Sequence, residues 1–269
     1  GFAAAQDRLR MAADTFRSCQ EQNAALVLSA MKLRDRWISF LGDQQKSMDS
    51  GRTMIDAVHD WWLRQPPDRR PKLMLYGESL GSMAGQAAFD WLPDVARMGF
   101  SSVLWVGPPN ASPLWKAITV RRDPGTTEVQ PRYDNGRTVR FSQATDAAEI
   151  AADTDAPWEG TRVLYLQHAS DPIVWWSEDL MFAEPDWLRE PPGRDRAPLM
   201  RWYPIVTFWQ VAADMTNAAS VPSGHGHNYG EYVLDGWAAV APPDGWTASD
   251  TDRIRRALEK TEADDGPEY

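Results

Sequence analysis

The chain has 269 residues, of which 43% are hydrophobic and 25% are charged, and its formal net charge is −10. These values are typical of a globular protein long enough for one large domain, so we predict a single domain over residues 1–269. The negative charge argues against a nucleic-acid partner, because proteins that bind nucleic acid carry basic surfaces. The one cysteine excludes an internal disulfide, and no apolar run reaches the roughly 18 residues of a membrane-spanning helix.

Apolar strands and helices alternate along the first part of the chain. Apolar residues recur at helical spacing over 3–22, and the short apolar run 24–29 predicts a strand. A helix is predicted over 50–64, where a pair of prolines ends it. The apolar run 73–76 predicts another strand, and the small residues after it predict a helix over 80–92. This alternation predicts an α/β fold, with a mostly parallel sheet and helices on both faces.

The middle of the chain continues the alternation with one interruption. Residues 101–106 and 161–167 predict buried strands. Between them, residues 110–160 are rich in Pro, Gly, Asp and Arg, which predicts an insertion or cap. A short hairpin strand at 138–141 and a helix near 144–153 are expected inside this insertion.

A second insertion or cap is predicted over residues 178–220. Within it, residues 184–198 are dense in Pro, Arg and acidic side chains and predict a loop. Residues 199–219 predict a helix in spite of Pro204. A last helix is predicted over 231–239.

The most informative motif is Gly-Glu-Ser-Leu-Gly at residues 77–81, directly after an apolar strand. In this G-x-S-x-G pattern a strand delivers the serine into a tight turn, and a helix leaves from it. Gly77 and Gly81 lack a Cβ, so the strand and the helix can approach closely on either side. The pattern predicts that Ser79 is a nucleophile; the alternative is that Ser79 merely occupies a turn.

A serine nucleophile needs a base that removes its proton and an acid that orients the base. Where the serine lies in a turn of this type, the chain order is Ser, then Asp or Glu, then His. Asp171 follows the predicted strand 161–167 at the sheet edge that also carries Ser79, so we assign it as the acid. The alternative is an Asx turn in front of Pro172. Competing acids further along the chain are Glu178, Asp179 and Asp186.

Four histidines are available as the base. His59 precedes the nucleophile and has the wrong chain order, whereas His168 closes a predicted strand and is expected to support the site. Glycines around the late pair allow a sharp loop that carries an imidazole into the cleft. We assign His227 as the base and His225 as the alternative. No Cys or carboxylate set keeps a regular spacing with this pair, so no metal is predicted.

The oxyanion is expected to accept a hydrogen bond from the backbone N–H of Leu80, which follows the nucleophile. The second donor normally comes from a loop after an early strand, and we expect that loop at or near Gly1 and Phe2. Glu78 is interpreted as exposed polar surface. The 14 tryptophans include the pair Trp175 and Trp176, which either line an apolar substrate cleft or fill the core.

Several motifs together carry a wider resemblance. They are Trp-Ile-Ser-Phe-Leu at 37–41, the strand and turn at 71–81, Leu-Trp-Val-Gly-Pro-Pro-Asn at 104–110, Arg-Arg-Asp-Pro-Gly at 121–125, His-Ala-Ser-Asp-Pro at 168–172, Thr-Phe-Trp-Gln-Val-Ala at 207–212 and Gly-His-Gly-His at 224–227. As a set they resemble the membrane-associated α/β-hydrolase family of actinobacteria.

The resemblance implies an α/β-hydrolase fold with Ser79 as nucleophile, Asp171 as acid and a histidine from the 225–227 pair as base. The resemblance also implies that, in members of that family, a block of transmembrane helices precedes the hydrolase domain. We therefore expect a bacterial cell-envelope location, through a membrane segment absent from this chain. The first strands of the fold are expected to lie upstream of Gly1.

These inferences predict a serine hydrolase without a cofactor. Its substrate would be a small-molecule or lipid ester, including esters of the cell envelope, and the acyl group would pass to water or to an acceptor alcohol. The predicted enzyme is thus an esterase, a lipase or an acyltransferase. The alternative is a catalytically inactive envelope or scaffold module that kept the fold. The acyl chain, the acceptor and the oligomeric state are left open.

Overall fold

The structure is a computed structural model that describes residues 44–143, 147–152, 156–230 and 232–265. The helix expected over 3–22 and the strand expected over 24–29 lie outside these residues, as does the expected early loop at Gly1. All described residues belong to the unit Gln44–Tyr269.

Four parallel strands form the sheet of the described chain. They are β1 (Leu73–Glu78), β2 (Phe100–Val106), β3 (Val139–Ser142) and β4 (Arg162–Leu166), and their order in the sheet is β1-β2-β4-β3. The strands predicted over 73–76, 101–106 and 161–167 are thereby confirmed, within one or two residues at their ends. Their carboxyl ends meet at one edge, where ligands of open parallel sheets bind.

The hairpin predicted at 138–141 is wrong, because β3 lies in the main sheet and runs parallel to β4, with Val139 opposite Val163. Two parallel strands need a crossover between them. Helix α5 (Ala147–Ala152) supplies it, which agrees with the helix expected near 144–153. All four residues of β3 are buried, as expected for a strand of a covered parallel sheet.

The first helices of the described chain agree only in part with the predicted ones. Helix α1 occupies residues 44–63 of the described chain, in agreement with the helix expected over 50–64. The helix predicted over 80–92 is interrupted, because α2 covers only Leu80–Gln86 and a separate helix, α3, covers Leu92–Arg97. The carboxylate of Asp94 accepts the backbone N–H of Trp91 at 2.8 Å, which satisfies an amide that a helix start leaves without a partner.

The segment predicted as a loop over 184–198 contains a short helix, α7 (Asp186–Arg189). The helix predicted over 199–219 is wrong in its first part, because α8 covers only Val206–Asp214. Ile205, which precedes α8, has φ 64°, and this left-handed backbone ends any helix that arrives from the N-terminal side. The remaining helices are α4 (Pro113–Val120), α6 (Pro172–Trp175), α9 (Tyr232–Val240) and α10 (Ala248–Asp265).

Helices cover both faces of this sheet, as predicted. On one face Leu104 and Leu164 pack in a cluster with Val240 at the end of α9. On the other face the hydroxyl of Tyr165 donates to Gln86 Oε1 of α2 at 3.1 Å. Among the helices of the described chain, none combines the length and apolar character that a membrane crossing requires.

Candidate functional site

Ser79 lies in the tight turn between β1 and α2. Its backbone has φ 54° and ψ −124°, a conformation that costs free energy in residues other than glycine and often marks functional sites. The Ser79 N–H donates to Val106 O at 2.9 Å, which ties the turn to the end of β2. A Cβ on Gly77 would lie 2.6 Å from the carbonyl carbon of Gly81, so this position requires glycine. Within the described chain, a Cβ on Gly81 would meet nothing within 4 Å, and the close approach depends on Gly77 alone.

Asp171 is a fully buried carboxylate at the start of α6, with 0% of its surface exposed. Its Oδ1 accepts the N–H of Ile173 at 2.9 Å, the capping bond that the Asx-turn alternative expected. Its Oδ2 lies 2.7 Å from Nδ1 of His227 and accepts the hydroxyl of Tyr229 at 2.8 Å. Three donors thus compensate for the burial of this carboxylate, which caps a helix and binds an imidazole at the same time.

His227 lies at the end of β2. The neighbouring strand β1 ends directly before Ser79. A Cβ on Gly107, the residue after β2, would be 2.5 Å from Cε1 of His227, so the imidazole lies directly on the backbone there. Its Nε2 is buried and has no hydrogen-bond partner among the described residues. Ser79 Oγ is therefore not hydrogen-bonded to Nε2 in this arrangement, although both side chains flank the last residues of β2.

The charge of His227 depends on two carboxylates. Burial of the ring lowers its pKa, but the charge and hydrogen bond of Asp171, with a contribution from the charge of Glu78, outweigh this effect and raise the pKa above the usual value. Because Asp171 binds Nδ1, the neutral ring carries its proton on Nδ1 and has its lone pair on Nε2. A neutral His227 is therefore prepared to accept a proton at Nε2.

His225 lies apart from these groups. Its side chain is exposed, and its Nδ1 is 3.4 Å from Ser223 O. The loop turns sharply between the two histidines, since Asn228 N donates to His225 O at 3.0 Å, so their side chains diverge. The ring of His59 stacks on Trp62 within α1, with ring centres 6.0 Å apart, and it forms no contact with Ser79, Asp171 or His227 among the described residues.

Sequence reasoning missed two residues of this site. Tyr229 donates to Asp171 and also accepts the N–H of His168 at 3.1 Å. Glu78 is exposed, as expected for polar surface, but it also accepts the hydroxyl of Tyr76 at 2.7 Å and contributes to the raised pKa of His227. Its position beside Ser79 in the motif was the available signal, whereas no local pattern distinguishes Tyr229.

Leu80 is the first residue of α2. The amides of a first helical turn have no acceptor within their own helix, so the Leu80 N–H is suited to an external oxygen. The second donor, expected near Gly1 and Phe2, lies outside the described residues.

Trp175 and Trp176 are packed in aromatic clusters. Trp175 is 1% exposed, lies with its ring 5.5 Å from Trp187, and donates from Nε1 to His168 O at 2.8 Å. It also forms part of the wall of a cavity of about 620 Å³ whose described lining includes Ser170 but neither the predicted nucleophile nor the predicted base. Trp176 packs on Phe208 with ring centres 5.3 Å apart.

No group of three or more His, Cys, Asp or Glu side chains is placed to hold a metal ion in the part of the chain that the structure describes.

Comparison with known proteins gives one match. A family model described as the alpha/beta-hydrolase family matches residues 10–254. The α/β-hydrolase fold class predicted from the sequence is thereby confirmed, together with the parallel sheet. A search of curated proteins found no match, and a search of solved structures found none either.

Proposed function

The chain belongs to the alpha/beta-hydrolase family, and on that premise we propose that it is a serine hydrolase that cleaves or transfers the acyl group of a carboxylic ester. Membership of the family supports a hydrolase activity. The ester substrate, the three catalytic residues and the acyl-enzyme are parts of our proposal.

In the proposed mechanism Ser79 Oγ attacks the acyl carbonyl while Nε2 of His227 removes its proton. Asp171 holds the imidazole through Nδ1 and stabilises the positive charge that forms on it. The N–H of Leu80 donates to the oxyanion of the tetrahedral intermediate. His227 then returns the proton to the leaving alcohol, which leaves an acyl-Ser79 ester. Water or a second alcohol, deprotonated in turn by His227, attacks the acyl carbonyl, and His227 returns that proton to Ser79 Oγ as the acyl group is released.

The observation that carries this proposal is the pairing of His227 with Asp171 at 2.7 Å, at the strand end to which the backbone of Ser79 is bonded. Two residues that are far apart in the chain meet beside a serine with left-handed backbone. A structural role for Ser79 alone does not account for that convergence. Catalytic hydrogen bonds are often longer in free enzymes than in substrate complexes, so the unpaired Nε2 is compatible with the proposed role.

The substrate class and the location extend the proposal through the resemblance noted above. We propose that the acyl donor is a lipid or cell-envelope ester, and that the protein comes from an actinobacterial cell envelope and is associated with the membrane through its parent protein. Hydrolysis and acyl transfer use the same residues, and only exclusion of water from the acyl-enzyme separates them. A series of p-nitrophenyl esters of increasing acyl length, with and without added alcohol, measures both preferences.

The test is labelling with a fluorophosphonate probe, followed by peptide mapping, with p-nitrophenyl butyrate turnover as the second readout. We expect covalent modification of Ser79, and loss of labelling and turnover in Ser79→Ala and His227→Ala. His225→Ala is the matched control, because it removes an imidazole from the same loop, and it should retain near-normal rates. A folded wild-type chain that neither reacts nor turns over ester would contradict the proposal and favour an inactive module.

A further inference from the structure

Gly226, the residue before His227, is held by hydrogen bonds at both its backbone N–H and its backbone carbonyl oxygen. The N–H of Gly226 donates to Ser170 Oγ at 2.8 Å. The carbonyl oxygen of Gly226 lies 2.9 Å from Nδ1 of His168, which donates to it as a neutral imidazole. Burial outweighs the nearby charges and lowers the pKa of His168, which favours that neutral form. The residue before the proposed base is therefore fixed by two side chains.

Both of these side chains come from the short segment that also provides the proposed acid. Residues 168–171 follow β4 and place His168 and Ser170 on Gly226 and Asp171 on His227. The position of the base relative to its acid is thus set within one segment. A shift of Ser170 would move the Gly226 backbone, and with it the imidazole.

Ser170 is itself held by a residue from a distant part of the chain. The backbone N–H of Ser170 donates to Asp195 Oδ1 at 3.1 Å, and its hydroxyl donates to Asp195 Oδ2. A serine hydroxyl has one proton and two acceptor lone pairs. Because Asp195 takes that proton, a lone pair of Ser170 Oγ remains directed to the N–H of Gly226. Without Asp195 the hydroxyl can rotate and turn its proton to other acceptors.

We propose that Asp195 is a positioning residue for His227 that acts through Ser170. This inference rests on the proposed function, since it assigns Asp195 to the base of that reaction. Asp195 hydrogen-bonds neither His227 nor Asp171 among the contacts of the described chain, so it is not a catalytic residue. It lies in the segment 184–198, which composition alone marks as a loop.

Asp195 is suited to this role by its surroundings. Both of its oxygens bind Ser170, and its side chain is only partly buried. It shares the wall of the 620 Å³ cavity with Ser170 and Trp175, so removal of its carboxylate leaves room rather than a collapsed core. We therefore expect the variants at this position to fold.

The experiment compares Asp195→Ala, Ser170→Ala and their double variant by steady-state ester turnover and by the rate of fluorophosphonate labelling. Each single variant should lose roughly ten-fold in kcat with little change in KM, because a small displacement of a catalytic group is costly. The double variant should lose no more than either single variant, since residues that act in series are not additive. Ser170→Thr keeps the hydroxyl and should retain most of the rate.

The matched control is Asp186→Ala. Asp186 lies in the same segment and bonds Arg122 and Arg189 rather than Ser170. Thermal unfolding of every variant checks that it is folded. An Asp195→Ala enzyme no slower than Asp186→Ala would overturn the inference, and so would a double variant whose loss is the product of the single losses.

A second readout separates this inference from the proposed function. In Asp195→Ala the bond between His227 and Asp171 should loosen, and the pKa of His227, followed by NMR titration, should fall towards its usual value. If the wild-type chain neither reacts with the probe nor turns over ester, the proposed function fails. The titration then decides the positioning role: an unchanged pKa of His227 in Asp195→Ala overturns it, and a lowered one supports it.

Discussion

Replacement of Tyr229 by Phe isolates one hydroxyl at the centre of the proposed site. Tyr229 is 1% exposed, and its ring stacks on His168 with centres 4.2 Å apart. Phe preserves that ring and its packing. The change removes one donor to Asp171 Oδ2 at 2.8 Å and one acceptor for the N–H of His168 at 3.1 Å. Every effect of the variant therefore comes from these two hydrogen bonds.

The expected loss of stability follows from those bonds. A hydrogen bond to a charged group contributes about 1.5–3 kcal/mol, and a buried amide left without its acceptor costs about 1–3 kcal/mol. Because Phe can relax slightly towards the vacated space, we expect the free energy of unfolding to fall by about 2–4 kcal/mol. A domain with a stability of roughly 5–15 kcal/mol remains folded after such a loss, so the activity of the variant can be measured.

The pH dependence of Tyr229→Phe gives a direction that stability alone does not. With the phenol gone, the Asp171 carboxylate interacts more strongly with the Nδ1 proton of His227, so the imidazolium is stabilised and the pKa of His227 rises further. The base works only in its neutral form, so kcat/KM increases as the pH rises through that pKa. The acid limb of the profile should therefore move to higher pH.

The assay is kcat/KM for p-nitrophenyl butyrate, together with the labelling rate, measured from pH 5 to 9, and urea unfolding at pH 7. Tyr232→Phe is the control, because Tyr232 lies nearby in α9 and its hydroxyl forms no hydrogen bond with the described residues. It should leave both the profile and the stability close to those of the wild type. An acid limb that moves to lower pH in Tyr229→Phe, or unfolding unchanged from the control, would refute this reasoning.

Two further predictions concern the nucleophile turn. Glu78→Gln removes a charge that raises the pKa of His227, so the acid limb of kcat/KM should move to lower pH; Asp68→Asn is the exposed control, and an upward move would contradict the role given to Glu78. Gly77→Ala should destabilise the chain by about 1–3 kcal/mol or more, since its Cβ would meet the α2 backbone. Gly81→Ala, inside α2, should instead be neutral or stabilise the chain by up to about 1 kcal/mol; urea unfolding compares the two, and equal losses would show that the glycines are equivalent after all.

The parts of the fold predicted correctly from the sequence are those with strong local signals. The strands at 73–76, 101–106 and 161–167 each contain a run of four apolar residues, which strands of a parallel sheet typically carry. The failures involve contacts that are not local. Strand β3 is short, and only its pairing with Val163 and its neighbours in β4 shows that it belongs to the main sheet. In the same way, the helical spacing over 199–219 could not reveal the left-handed backbone at Ile205.

The predicted site residues differ in the same respect. The G-x-S-x-G pattern is local, and the position of Asp171 after a strand is nearly so, which is why both could be named from the sequence. Both late histidines follow Asp171 in the chain, so the choice of His227 over His225 rested on its closeness to the helix predicted over 231–239. Asp195 carries no such signal, because its role depends on hydrogen bonds to Ser170 across 25 residues of chain. Residues of this kind are found only when coordinates show which backbone atom each side chain holds.

The buried Nε2 of His227 links these arguments. A buried polar atom without a partner costs about 1–3 kcal/mol, and Asp171 and Gly107 hold the ring so that it cannot turn this atom to water. Within the described chain, the backbone N–H of Ser79 is bonded to the same strand end, and a change of the serine side-chain rotamer is a small motion. We therefore expect the cost to be relieved when Ser79 donates to Nε2 as substrate enters. In that case a bound, non-hydrolysable ester analogue should stabilise the wild type more than the Ser79→Ala chain, which cannot relieve that cost.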